Sequence, residues 1–252
     1  MAQGFRLPEI LEIARAEGRV TVEDLAARLG VTAQTIRRDL AELDEAGKLE
    51  RVHGGAILRS GTVNIGYADR AALNAEEKRA IARACAAEIP EGASVFLAIG
   101  TTTEAVAREL RRHAGLMVVT NNLNIANILA EAPACQVIVT GGTLRRSDGG
   151  LTGPLTESAI RQFKVDIAVI GCSALDAEGD MLDYDIHEVG VSRTLIAQAR
   201  RAWLVCDHSK LTRTAPARID SLSVLDAVFT DRPFPPSLAA RCAQWQTRVV
   251  TP

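Results

Sequence analysis

Residues 20–56 of this 252-residue chain read VTVEDLAARLGVTAQTIRRDLAELDEAGKLERVHGGA, and helix starts and stops can be placed along them from residue type alone. Thr21 is a hydroxyl residue followed three positions later by Asp24, the arrangement of a capping box. Val22, Leu25, Ala26 and Leu29 then recur at helical spacing, and Gly30 closes the segment. Thr32 is a second N-cap candidate, followed by an apolar set of Ala33, Ile36, Leu40 and Leu43 that ends at Gly47. The run LERVHGGAIL reads as a short β-hairpin with Gly54 and Gly55 at its turn. Upstream, Leu7, Ile10, Leu11 and Ala14 mark a further helix that stops near Gly18. Helix, tight turn around a glycine, helix and trailing hairpin make a winged helix-turn-helix, expected over residues 1–58.

With Ile36 at the centre of the buried face, 100° per residue points Gln34 and Arg38 away from the core and sets Thr35 and Arg37 on the flanks. The segment from Thr32 to Arg38 has no acidic residue, although acids resume at Asp39. An Arg-Arg pair alone is an ordinary solvated face; at the start of the second helix of such a motif it faces DNA. Thr32, Gln34, Thr35, Arg37 and Arg38 are therefore the expected contacts to double-stranded DNA, with Arg51 and His53 added from the wing. Bulk charge does not help. The chain carries 29 Lys+Arg against 31 Asp+Glu, and its first 58 residues carry 8 against 10, both −2. So weakly basic a module makes few phosphate contacts, and useful affinity implies a homo-oligomer.

Hydrophobic residues at 47% and charged residues at 24% describe a soluble globular protein, with a core built from aliphatic side chains since aromatics reach only 4%. No apolar run is long enough to span a membrane, and no signal-peptide pattern opens the chain. The five cysteines are scattered without a C-x-x-C pair, which argues against a zinc site or a disulfide framework and suits a cytoplasmic location. Residues 59–74 read as a linker, and a helix is expected from Ala75 to Ile89. Then come SVFLAIGTTT, LMVVTNN, QVIVTGGTLRR, VDIAVIGCSALD, AWLVCDHSK and LDAVFTD, apolar runs that end in small or polar residues and are mostly separated by helical patterns. Such an alternation predicts a Rossmann-like, mostly parallel α/β domain over 75–252, covered on both faces.

Ligands of these sheets bind beyond the carboxyl ends of the strands. Gly100, Thr101, Thr102 and Thr103 lie between a strand and a helix, where small residues let backbone N–H groups and threonine hydroxyls reach an anion. The nucleotide P-loop and dinucleotide fingerprints are absent, so a small phosphate ester fits better than ATP or NAD. Gly141, Gly142, Arg145 and Lys210 at neighbouring strand ends support the same reading. Asp183, Asp185 and Glu188 either accept hydrogen bonds from ligand hydroxyls or form a solvated acidic loop. Asp207, His208 and Ser209 are contiguous, point in different directions and cannot line up as a catalytic triad. His187-Glu188 lacks the second histidine of a zinc-protease helix, so neither a metal nor a cofactor is expected.

These motifs resemble the DeoR family of bacterial transcription regulators. Its pattern G-x-V-x-V-x-x-L-A-x-x-L-x-V-[ST]-x-x-T-I-R-R-D-L followed by R-x-H-G-G-A is matched from Gly18 to Leu40 and from Arg51 to Ala56, with Thr32 keeping the capping oxygen of the usual serine. GTTT, VVTNN, VTGG-x-L-R and D-H-S-K look like the family's sensor domain, whose fold is related to sugar-phosphate isomerases and CoA transferases. The resemblance implies a repressor of glycerol or sugar metabolism genes, a dimer or tetramer, relieved by a phosphorylated metabolite. The segment LDYDIHEVGVSRTLIAQARRAWLVCDHSKLTR looks most like the branch that answers to glycerol 3-phosphate. Carried over, the effector contacts are Gly100, Thr101, Thr102, Thr103, Gly141, Gly142, Arg145, Asp183, Glu188 and Lys210. Two alternatives stand beside this one. The first is a sugar-phosphate isomerase or CoA-transferase-like enzyme with an accessory DNA-binding module, using Asp176, Asp207 or Glu188. The second is a constitutive DNA-binding scaffold that ignores ligands.

Overall fold

The computed structural model describes residues 3–17, 19–58 and 66–252, and the chain falls into two compact units, Met1–Leu73 and Asn74–Pro252. In the first unit, α1 (Gln3–Glu17) leads through the short strand β1 (Arg19–Thr21) into α2 (Val22–Leu29) and α3 (Ala33–Glu45). The caps are those the residue types demand. The Thr21 hydroxyl accepts from the Asp24 N–H at 3.2 Å, and Gly30 closes α2 in the left-handed conformation at φ 64°, which a side chain would disfavour. The Thr32 hydroxyl accepts from the Thr35 N–H, also at 3.2 Å. Leu25, Leu29, Ile36, Leu40 and Leu43 interlock with Ile10 and Ala14 of α1 in one core, while Ala33 packs only at its margin.

The hairpin consists of β2 (Leu49–Val52) and β3 (Gly55–Leu58), and β1 adds a third antiparallel strand on the outer side of β3. The expected hairpin is present, and β1 extends it to a three-stranded sheet. Residues 59–65 of the expected linker lie outside the described residues. Its remainder is not an open connection: α4 (Tyr67–Ala72) forms there in the first unit. Ala68, Ala71 and Ala72 give that stretch high helix propensity, which its polar composition masked. Asn74 belongs to the second unit, where its side-chain amide donates to the Asp207 carboxylate at 2.8 Å.

The second unit alternates as α5 (Ala75–Ala87), β4 (Ser94–Leu97), α6 (Thr101–Leu110), β5 (Leu116–Thr120), α7 (Leu123–Ala130) and β6 (Cys135–Val139). A small hairpin, β7 (Thr143–Arg145) and β8 (Gly150–Thr152), precedes α8 (Pro154–Ile160) and β9 (Val165–Ile170). After β10 (Ala174–Leu175) and β11 (Asp180–Asp183) come α9 (Ile186–Gln198), β12 (Ala199–Val205), β13 (Ala217–Ser221), β14 (Ala227–Phe229), α10 (Pro236–Trp245) and β15 (Arg248–Val250). Among the described residues, seven strands form one parallel sheet in the order β15-β14-β12-β9-β4-β5-β6.

Both faces are apolar, so the strands read as unbroken apolar runs. Val95 and Leu97 pack with Ile81, Val106 and Ile125 from α5, α6 and α7. Phe96 and Ala98, one residue out of phase, join Ile160, Leu195 and Leu238 from α8, α9 and α10 on the opposite side. That second core also receives Leu175, Met181 and Ile219 from the antiparallel sheet β10-β11-β13. From β4 the chain builds outward through β5 and β6, then returns to the other flank of β4 with β9 and continues through β12. The reversal opens between the carboxyl ends of β4 and β9, the place where open α/β sheets take ligands.

Candidate nucleic-acid interface and ligand site

On α3, Gln34, Arg37 and Arg38 are exposed and Thr35 is half-buried; Thr32 is exposed at the helix start, and Arg51 and His53 are exposed on the wing. The Thr32 and Thr35 hydroxyls lie 2.9 Å apart. Among the described residues none of Arg37, Arg38, Arg51 and His53 takes part in an ion pair, whereas Arg28 is held by Asp24 at 2.8 Å and Arg6 by Asp39. The exposed side of α3 and the wing thus carry basic side chains that no carboxylate holds.

Asp39 was not singled out by sequence, yet it is 1% exposed inside this unit. Arg6 of α1 grips its carboxylate with two nitrogens, Nε on one oxygen and Nη2 on the other, the latter at 3.0 Å. The signal was present: Asp39 follows Ile36 by three residues and adjoins Leu40, so it falls on the core side of the helix, and a buried acid requires a partner. Arg6, Thr32, Gln34, Thr35, Arg38 and Asp39 together line a depression beside the start of α3.

In the second unit the carboxyl edge of the sheet gathers the expected ligand residues in three groups. At the end of β4, Gly100 has φ 150° and leads into α6. Thr101 is partly exposed and Thr102 buried. Thr103 is fully buried, and its hydroxyl meets the carbonyls of Ala98 and Gly100, both at 2.7 Å, so it locks the turn rather than facing outward. Gly141 and Gly142 follow β6, two strands away. The Thr156 hydroxyl donates to the Gly141 carbonyl at 2.7 Å, and a Cβ on Gly142 would stand 1.9 Å from the Thr156 Oγ1, so that glycine admits α8.

The third group is charged. Arg145 is clamped by three carboxylates, Asp148 at 2.8 Å, Asp185 at 2.9 Å and Glu188 at 2.6 Å. Burial alone would lower its guanidinium, and Asp148 and Glu188 more than reverse that. Burial, reinforced by the Asp183 carboxylate, pushes Glu188 up to about 8 against the pull of Arg145. Asp183 itself is buried, takes a 2.8 Å hydrogen bond from Ser173 just before β10, and accepts the backbone N–H groups of Tyr184 and Asp185. Just past β12, burial would raise the Asp207 carboxyl, but the Lys210 ammonium, the Ser209 hydrogen bond, Lys78 and Asn74 bring it down to about 2.

Asp207, His208 and Ser209 do diverge: the first meets Asn74, and the second meets Asp231 at 2.6 Å. The Ser209 Oγ, in the 3-10 turn that follows β12, and the Asn121 Oδ1, at the end of β5, are buried without a hydrogen-bond partner. Burial lifts the Cys172 thiol to about 12 and that of Cys206 well above its ordinary value, so these strand ends offer no reactive thiolate. Sequence reasoning missed Asp148 and Lys78. Lys78 did announce itself, since it stands on the stripe of Ile81, Ala82 and Cys85 where α5 should be apolar. Asp148 gives no such sign, because its burial depends on how the β7–β8 hairpin folds back over the sheet edge, with Asn122 bridged to Gly150.

Comparison with known proteins bears on both units. Residues 6–62 match the model of the DeoR-like helix-turn-helix domain, and residues 73–232 match that of the DeoR C terminal sensor domain. The chain is 45% identical over 238 residues to the glycerol-3-phosphate regulon repressor of Escherichia coli (strain K12), covering 94% of each. It is 44% identical over 230 residues to the protein of that name from Haemophilus influenzae, covering 91% of this chain and 90% of that one. Among solved structures, ribose 5-phosphate isomerase from Plasmodium falciparum aligns with a TM-score of 0.39 at 12% identity, over 54% of this chain and 52% of that one. The relatives matched nearly end to end are transcription repressors, and the enzyme alternative falls: this chain is a regulator. Matched by both domain models and by full-length relatives, it belongs to the DeoR family of DNA-binding transcription regulators.

Proposed function

We propose that the chain represses genes of glycerol metabolism, its winged unit holding an operator and its α/β unit relaxing that hold on binding glycerol 3-phosphate. The observation that carries the DNA half is the set of basic side chains without acidic partners, Arg37, Arg38, Arg51 and His53, on one helix and its wing. Phosphates and guanine edges supply the partners these groups lack. Thr32, Gln34 and Thr35 complete the contact from the first turn of α3. Because few phosphates can be engaged by one module, the working form is a homodimer or tetramer in the cytoplasm.

For the effector, the reversal between β4 and β9 supplies the N–H groups of Gly100, Thr101, Thr102 and Thr103, with Lys210 and Arg145 as cations and Gly141 and Gly142 shaping the rim. Asp183 and the unmet Asn121 Oδ1 suit ligand hydroxyls. The phosphate takes Arg145 in place of Glu188, whose carboxyl is pushed up to about 8 by its burial and so competes less strongly for the guanidinium. The choice of glycerol 3-phosphate over other phosphate esters rests on the names of the two repressors above. The effector can shift operator binding only by its differential affinity for the bound and released forms.

The test is release from a duplex that the protein itself selects from a random pool, titrated with glycerol 3-phosphate, glycerol, inorganic phosphate and ribose 5-phosphate. Release by glycerol 3-phosphate alone is expected. Release by ribose 5-phosphate instead reassigns the effector, and retention of DNA under all four removes the sensor half of the proposal.

A further inference from the structure

Removing a buried ion pair in favour of apolar side chains is often neutral for stability. Stability alone therefore does not call for Arg6 and Asp39 inside the winged unit. Their placement points to another role. Arg6 stands one turn before Ile10, so the apolar stripe of α1 ends in a cation; Asp39 adjoins Leu40, so the stripe of α3 carries an anion at the same level. Asp39 is also the sequence neighbour of Arg38, and both line the depression beside the start of α3 together with Arg6. The remaining groups lining it are the neutral Thr32, Gln34 and Thr35. Without Arg6, Arg38 is the one cation of that depression left to answer the carboxylate.

We propose that Arg6 is a positioning residue for DNA binding: by locking the Asp39 carboxylate into the core, it keeps that acid from capturing Arg38 and from facing the phosphate backbone. Arg38 then stays available to the operator. The inference rests on the assignment of Arg38 to DNA made above and adds the residue that makes it effective. It concerns a group that does not itself touch DNA.

The readout that separates this role from a merely structural one is the slope of log K against log salt, which counts neutralised phosphates. Binding to the self-selected duplex is measured at a temperature where circular dichroism shows each variant folded. Arg6→Gln is expected to weaken binding about tenfold or more and to make the slope shallower by about one. Arg6→Gln with Asp39→Asn is expected to recover the parental slope, since no acid remains to capture Arg38. Asp39→Asn alone, which keeps a hydrogen-bonding partner for Arg6 and so tests the idea even if Arg6→Gln unfolds, should hold the parental slope and affinity. A parental slope in folded Arg6→Gln, or a loss in Asp39→Asn, would overturn the proposal and leave the pair as a plain clamp between helices. Arg38→Ala is the companion. If it binds like the parent, the groove assignment of Arg38 fails first; if it loses affinity while Arg6→Gln does not, the present inference alone fails.

Discussion

Asp207 and Glu188 are both carboxylates at the edge of one sheet, and their surroundings drive them in opposite directions. Asp207 titrates near 2 rather than its ordinary 3.8, so its contribution is present above about pH 4 and is lost as pH falls toward 2. That shift corresponds to about 2 kcal/mol, and Asp207→Asn is expected to lower stability by about that amount in urea at pH 7, with the difference closing near pH 2. Glu188 behaves in reverse. Between its ordinary 4.5 and about 8 the native carboxyl keeps a proton that the unfolded one has lost. Its favourable contribution is therefore full at low pH and fades as pH rises to about 8. The same proton should govern the ligand: above pH 8 affinity for glycerol 3-phosphate is expected to fall about tenfold per pH unit, and Glu188→Gln should flatten that limb in calorimetric titrations. On the DNA side, Arg38→Ala is expected to weaken operator binding by about 1–3 kcal/mol, read by fluorescence anisotropy. The outward direction of Arg38 was legible at 100° per residue from Ile36. The company of Arg145 was not, because Asp148, Asp185 and Glu188 reach it from a hairpin turn and from the start of α9, and that meeting is made only by the folded sheet edge.

Helix limits in the first unit follow from single residues, which is why Thr21, Gly30 and Thr32 are legible as caps in the sequence. The strand β1 could not: three residues, Arg19 to Thr21, show no period, and they become a strand only because β3 offers a free edge. Gly55 marks how tightly the two fit. A Cβ there would sit 1.9 Å from the Val20 carbonyl oxygen, a backbone atom that cannot turn aside. Gly55→Ala is expected to destabilise the winged unit by about 3 kcal/mol and to abolish DNA binding. Scanning calorimetry should show the α/β unit melting as in the parent. A parental melting profile and intact binding would mean that β1 and β3 part without consequence.

Across the whole molecule, the continuous apolar runs made a parallel, doubly covered sheet legible, since alternate residues of each strand feed cores on opposite faces. Strand order was not legible, nor was the antiparallel sheet of β10, β11 and β13, whose short strands lie in polar sequence. With two compact units, ligand at about 100 times its dissociation constant is expected to stabilise the α/β unit by roughly 2.7 kcal/mol and to leave the melting of the winged unit where it was, provided no DNA is present. Within the winged unit, α1 continues directly into the strand that completes the wing, while its other end holds the recognition helix through Arg6. Helix and wing therefore share one handle. A reading head built this way holds or fails as one piece: whatever loosens α1 slackens the helix and the wing together.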